Sequence, residues 1–192
     1  MKEQIITILR ESADIKRQLA KEAVDEIIGA TETIQKALKA GKKILLFGNG
    51  GSAADSQHIA AEFINRYAID RKSLPAIALT TDSSVITSIA NDFSFTEVFS
   101  RQIEGLASKG DVVWGLTTSG KSQNVIKAFE TAGKMELKSI AFTGKNTSKL
   151  KDTVNHLIKV PSASTQRIQE SHITIAHIIC ELVENLMFSQ ES

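Results

Sequence analysis

One cysteine, two prolines, one tryptophan and one tyrosine are all that 192 residues contain of the types that most often staple or stiffen a small fold. The lone thiol, Cys180, excludes an internal disulfide framework. Its setting in the apolar run IAHIICELVENLMF gives it the character of a small buried hydrophobe in a reducing compartment. Two prolines leave little room for a Pro-rich linker, and no repeat or low-complexity tract interrupts the chain. An excess of charge is lacking too: Lys+Arg of 23 against Asp+Glu of 22 gives +1, with no basic block that could follow a phosphodiester backbone. Direct nucleic-acid binding is therefore not expected. Nor is a membrane span, because the opening stretch MKEQIITILRESADIKRQLAKEAVDEI breaks its apolar positions with charges every three or four residues, which also excludes a signal-peptide core. What remains is the expectation of one cytoplasmic domain, residues 1–192, long enough to bury a core without staples.

Periodicity changes once along that domain. Residues 2 to 38 place Ile5, Ile8, Leu9, Ile15, Leu19, Ala23, Ile27, Ile28, Ile34 and Leu38 at helical spacing before a lysine-flanked stop at Gly41, which predicts one or two long amphipathic helices over 1–40. From 41 onward KKILLFG, PAIALTT, DVVWGLTT, KSIAFTG and HLIKVP are short apolar runs that each close in Gly, Ser, Thr or Pro. Helical periodicity fills roughly 52–66, 83–108 and 121–136 between them. The fold class is therefore α/β, a five-stranded parallel sheet flanked by helices in three flavodoxin-like layers. A last helix from about Gln166 to Phe188 is apolar on nearly every face, so it is expected to lie in the core or against another subunit. With the N-terminal helices it suggests a homo-oligomer.

Two strand ends carry unusual chemistry. LFGNGGSAADSQHIAAE puts Gly48-Asn49-Gly50-Gly51-Ser52 after the first strand, and Thr117-Thr118-Ser119-Gly120-Lys121-Ser122 follows DVVWGL. Glycines let backbone amides approach a ligand, hydroxyls donate, and the next helix points its positive end at an anion. Alone, either loop also reads as a turn and helix cap; together at one sheet edge they read as a phosphate site, the second loop being the better cradle. Gly48, Gly50 and Ala53 formally satisfy a dinucleotide fingerprint, but Asp70 precedes the next strand and Asp82 lies too far beyond it to hold a ribose. No Walker loop is present.

His58 and Glu62, four apart on the helix that the glycine loop opens, share one face near the ligand edge. Such a pair is commonly no more than a surface contact. RIQESH and then His177 lie in the apolar last helix, where a neutral core histidine is the simplest reading of His177. Gln169 and His177 are eight apart, about 12 Å along a helix, and converge only on a point between them. Two imidazoles, a carboxylate and an amide oxygen would suit zinc there.

GNGGSAADSQHIAAEF, IANDFSFTEVFSRQ, TTSGKS and RIQESHITIAH, in that order and nearly end to end, resemble the sugar isomerase (SIS) domain family, and within it the branch acting on seven-carbon sugar phosphates. The resemblance implies a homotetramer with sites at subunit boundaries. The implied reaction turns D-sedoheptulose 7-phosphate into D-glycero-D-manno-heptose 7-phosphate, for bacterial surface polysaccharide. Carried over by motif, it implies substrate contacts from Asn49, Gly50, Gly51, Ser52, Arg66, Asn91 and Asp92, and phosphate contacts from Thr117, Thr118, Ser119 and Ser122. One zinc ion per subunit would take His58, Glu62, Gln169 and His177, with Glu62 and His177 as the acid/base pair and Gln169 and Glu62 also touching substrate. Some members carry an acid where this chain has Gln166, which removes any proton-transfer role there. His172 is left to helix packing or support of the ligands. A non-catalytic tetramer of the same family, which binds the replication initiator DnaA, is the alternative; it lacks the residues matching Glu62 and His177, and both are present here.

Overall fold

A computed structural model describes residues 1–147 and 149–188 of the chain. The first forty residues form two helices, α1 (Lys2–Glu22) and α2 (Val24–Lys39), with the chain turning at Ala23. Each is amphipathic: Ile15 and Leu19 of α1, and Ile27, Ala30, Ile34, Ala37 and Leu38 of α2, face inward. From there the chain alternates: β1 (Ile44–Gly48), α3 (Gly51–Ile64), β2 (Ala76–Ala78), α4 (Ser83–Asp92), α5 (Ser100–Leu106), β3 (Val112–Thr117), α6 (Gln123–Lys134), β4 (Lys138–Thr143), β5 (His156–Lys159) and α7 (Thr165–Phe188).

All five strands pair in parallel in the order β2-β1-β3-β4-β5. Because the strands are covered on both faces, they are apolar throughout, and successive side chains alternate between two cores. Ile44, Leu46, Trp114 and Phe142 meet α1, α2, α3 and α7; Leu45, Phe47 and Val113 meet α4, α5 and α6. The order is the flavodoxin-like one expected from sequence, and it places the topological switch point between β1 and β3. The glycine loop and the hydroxyl loop leave those two strands.

The span expected to be helical over 83–108 is broken. Asp82 caps α4 by accepting from the Val85 amide, but the helix ends at Asp92, a 3₁₀ turn occupies Phe95–Glu97, and α5 begins only at Ser100. The helix ladder closes with the Phe93 amide donating to the Ile89 carbonyl, the Asn91 side chain donates to the Asp92 carboxylate, and Ser94 is fully extended. The last helix also proves less uniform than its composition. Ile168, Ile175, Ile179 and Val183 are buried, whereas Ile178, Leu182 and Leu186 form an exposed apolar stripe. Together with Leu19, Val24, Ile27 and Ile28, the first two of these, Ile178 and Leu182, border an apolar groove between α7 and the first two helices. Cys180 is buried, as expected, and burial pushes its thiol far up.

One buried ionic knot joins α3 to α7. The Glu184 carboxylate accepts from the amides of Tyr67, Ala68 and Ile69 at 3.0, 2.7 and 3.0 Å and from Arg71 Nε at 2.7 Å. Arg71 in turn donates to the carbonyls of Phe63 and Glu62, both at 2.8 Å. Burial alone would push the Glu184 carboxyl up; the three amides and the guanidinium outweigh it and hold the group below its ordinary value.

Glu184→Gln leaves the Arg71 charge buried without its counter-ion and is expected to cost about 3–5 kcal/mol in urea unfolding, against less than about 0.5 kcal/mol for the exposed Glu181→Gln. A second outcome concerns pH. Burial lowers the fully enclosed His172 from 6.5 to about 4, so its contribution to stability is complete above pH 6.5 and falls as pH drops toward 4, while the unfolded chain takes up a proton that the folded chain refuses. The loss amounts to about 3 kcal/mol, read as the pH slope of unfolding, and is absent in His172→Phe.

Candidate active site

Both helices that carry the candidate chemistry start at the same edge of the sheet. Contacts between Gly51 and Gln169, His58 and His177, and Tyr67 and Glu184 follow the same order along α3 and α7, so the two helices lie side by side and parallel. Spacings of three and four put Gly51, Asp55, His58 and Glu62 on one face of α3, turned toward α7.

At the centre His58 Nε2 lies 2.8 Å from His177 Nε2 and 3.3 Å from Glu62 Oε1. The three atoms all fall within 4.8 Å of one another. His177 is thus not an isolated core histidine: its ring meets His58 edge-on at 5.1 Å and the Tyr67 ring at 5.9 Å. Two imidazole nitrogens in contact either share one proton, one donating and one accepting, or present both lone pairs to a cation. Two imidazoles and a carboxylate, with one side open through the half-exposed His58, form a donor set that fits zinc with a position left for substrate.

Gln169 stands nearer the glycine loop. Its carboxamide packs on Gly51 and its Nε2 donates to Asp55 Oδ1 at 3.5 Å, two turns of α7 before His177. Asp55 is a residue that reading the sequence passed over, although it sits four after Gly51 and three before His58. Burial pushes its carboxyl up, offset in part by the Gln169 hydrogen bond and the nearby His58, and its Oδ2 is buried with no hydrogen-bond partner. A carboxyl group therefore lies on α3 between Gly51 and the His58–Glu62–His177 cluster, in hydrogen-bond contact with Gln169.

The two strand-end loops are joined across the switch point. Asn49 and Asn124 exchange reciprocal amide hydrogen bonds of 2.9 and 2.8 Å, tying the end of β1 to the first turn of α6. Gly50 precedes α3 with φ of 56°, a left-handed backbone for which glycine carries no Cβ penalty. Ser52 is buried in the first turn. In the other loop Thr117 Oγ1 accepts from the Gly120 amide at 3.2 Å and lies 3.3 Å from Ser122 Oγ and 3.5 Å from Ser119 Oγ. Ser119 Oγ accepts from the Lys121 amide, Thr118 is half-buried beside it, and Ser122 occupies the N-cap of α6. Clustered hydroxyls at the positive end of a helix make a site for an oxyanion.

Arg66 just past α3, and Asn91 and Asp92 at the end of α4, are exposed, and among the described residues no hydrogen bond or ion pair joins them to the cluster. Gln166 is exposed at the start of α7, where it accepts from Ser164.

Known proteins with this pattern agree in sequence and shape. The SIS domain family model matches residues 9–144. Phosphoheptose isomerase of Thermodesulfovibrio yellowstonii is 51% identical over 188 residues, covering 98% of this chain and 94% of that protein. The phosphoheptose isomerase of Aquifex aeolicus is 49% identical, with 97% and 98% covered. Among solved structures, phosphoheptose isomerase GmhA from Neisseria gonorrhoeae superposes with a TM-score of 0.89 at 41% identity, over 96% of this chain and 98% of that one. On the strength of the matched domain, the near-complete alignments and the shared architecture, the chain belongs to the SIS domain family.

Proposed function

We propose that the chain is an aldose–ketose isomerase that converts D-sedoheptulose 7-phosphate to D-glycero-D-manno-heptose 7-phosphate, a step toward the ADP-heptose of bacterial surface polysaccharide such as lipopolysaccharide. The observation that carries this reading is the meeting of His58, Glu62 and His177, whose ligand atoms lie within 4.8 Å of one another on α3 and α7. Relatives spanning almost the whole chain bear the corresponding name. The alternative of a non-catalytic DnaA-binding tetramer gains nothing from the geometry, because Glu62 and His177, the residues it does without, stand together here.

In this reading the phosphate sits among Thr117, Thr118, Ser119 and Ser122 at the start of α6. The sugar lies between α3 and α7, touched by Asn49, Gly50, Gly51, Ser52 and Gln169. From Gly51 to His58 is about 10 Å along α3, comparable to an extended seven-carbon chain. Glu62 removes the proton from C1 of the ketose and returns it to C2 after the enediol forms. His177 protonates O2 and accepts the proton from O1, so that no net proton is gained or lost. His58, Glu62, Gln169 and His177 would hold one zinc ion per subunit, which when bound would supply positive charge favouring loss of the carbon-bound proton. Arg66, Asn91 and Asp92, exposed on one chain, complete the site at a subunit boundary. The assembly is a cytoplasmic homotetramer of single-domain chains, residues 1–192, in which helices 1–40 and the exposed stripe of α7 form contacts. Among the described residues no helix is long and apolar enough to cross a membrane.

Purified protein is expected to isomerise sedoheptulose 7-phosphate, to lose activity on chelation and to regain it with zinc. Glu62→Gln and His177→Ala should each reduce kcat by about 10²–10⁴-fold while remaining folded; an inert wild type with metal restored overturns the reading. Replacing Ile178 and Leu182 by Asp should shift the mass measured by light scattering from tetramer toward smaller species, since both charges would enter the apolar groove.

A further inference from the structure

His172 lies one turn after Gln169 with no exposure to solvent, its ring 5.4 Å from that of Phe142. Its Nε2 is 3.3 Å from the Thr143 carbonyl, while Nδ1 is buried with no hydrogen-bond partner. A carbonyl only accepts, so Nε2 carries the proton and Nδ1 is a bare acceptor. An enclosed, unpartnered nitrogen is costly, and a leucine or phenylalanine would fill the same space without it. Helix packing alone therefore does not account for this side chain.

What it grips is the turn behind the hydroxyl loop. The Thr143 carbonyl also accepts from the Val160 amide at 2.8 Å, fixing the end of β4 to the strand beside it. Thr143 Oγ1 closes the turn by donating to the Asn146 carbonyl at 3.0 Å. That turn is pressed against residues 118–120 with no space to spare. A Cβ on Gly144 would come within 2.7 Å of the Thr118 carbonyl and 2.6 Å of Ile168 Cδ1, and one on Gly120, whose φ is 63°, would run into the Asn146 carbonyl. A continuous stack results: α7 through Ile168 and His172, then the turn 143–146, then Thr118 and Gly120.

We infer that His172 is a positioning residue for the anion-binding loop 117–122, holding the turn 143–146 as the rigid wall against which that loop is set. The neutral ring is suited to the task. Burial lowers its pKa to about 4, so the ring stays neutral and the hydrogen bond to Thr143 keeps one form across the neutral range. The inference rests on reading 117–122 as the phosphate cradle, and it assigns His172 to substrate binding rather than to proton transfer.

The test compares His172→Phe, which keeps the ring and loses the donor, with His172→Gln, whose Nε2 reaches the same carbonyl. KM for sedoheptulose 7-phosphate and the inhibition constant for inorganic phosphate are measured on zinc-loaded protein. His172→Phe is expected to raise both by about five- to tenfold, with kcat within about twofold of wild type, and His172→Gln to restore both. Thr143→Val, which removes the hydroxyl that closes the turn, should raise both constants as well, and decides the matter if His172→Phe does not fold. Unchanged constants in the folded variants, or a fall in kcat at constant KM, overturn the inference. An inactive wild type instead overturns the functional reading on which it rests.

Discussion

The register between α3 and α7 is the constraint on which the site depends, and the carboxylate of Glu184 sets it. A charge so deeply placed is tolerable only with every lone pair engaged, and three consecutive amides and one guanidinium engage them. Since Arg71 also holds the carbonyls of Glu62 and Phe63, the knot fixes the last turn of α3 against α7. A slide of one residue would turn His58 and Glu62 away from His177, because helical neighbours on a face recur only at three and four.

Around that register the sheet does the coarse positioning. The order β2-β1-β3-β4-β5 brings the ends of β1 and β3 together, and the residues after those strands begin helices whose amides point outward at one edge. The hydroxyl loop and the His58–Glu62–His177 cluster are thereby both carried on rigid elements of the sheet and its helices.

Much of this was legible in the residues. Strand runs such as ILLFG and VVWGLT are apolar because both faces are covered, and the glycine and hydroxyl clusters follow the ends of β1 and β3 as their sequence positions indicate. The pairing of His58 with Glu62 followed from helical spacing. Other features had no local signature. The break after Asp92 lies where the backbone leaves the helix at Phe93 and is extended at Ser94, which periodicity does not register. Glu184 reads as an ordinary charge within an apolar helix until the loop that wraps it is known, and Asp55 becomes notable only when Gln169 arrives opposite it. Where two elements distant in sequence must meet, the sequence names the partners without naming the meeting.

The reciprocal amide pair between Asn49 and Asn124 has a consequence for the durability of the protein. Asn49 precedes a glycine, and asparagine in that setting is chemically fragile, since the following amide nitrogen can attack the side-chain carbonyl and expel ammonia. In this fold the Asn49 carbonyl oxygen and amino group are both held by Asn124, which keeps the carboxamide from swinging toward the Gly50 nitrogen. The contact that joins the end of β1 to α6 thus also slows chemical ageing at Asn49, where conversion to a carboxylate would remove one half of the reciprocal pair.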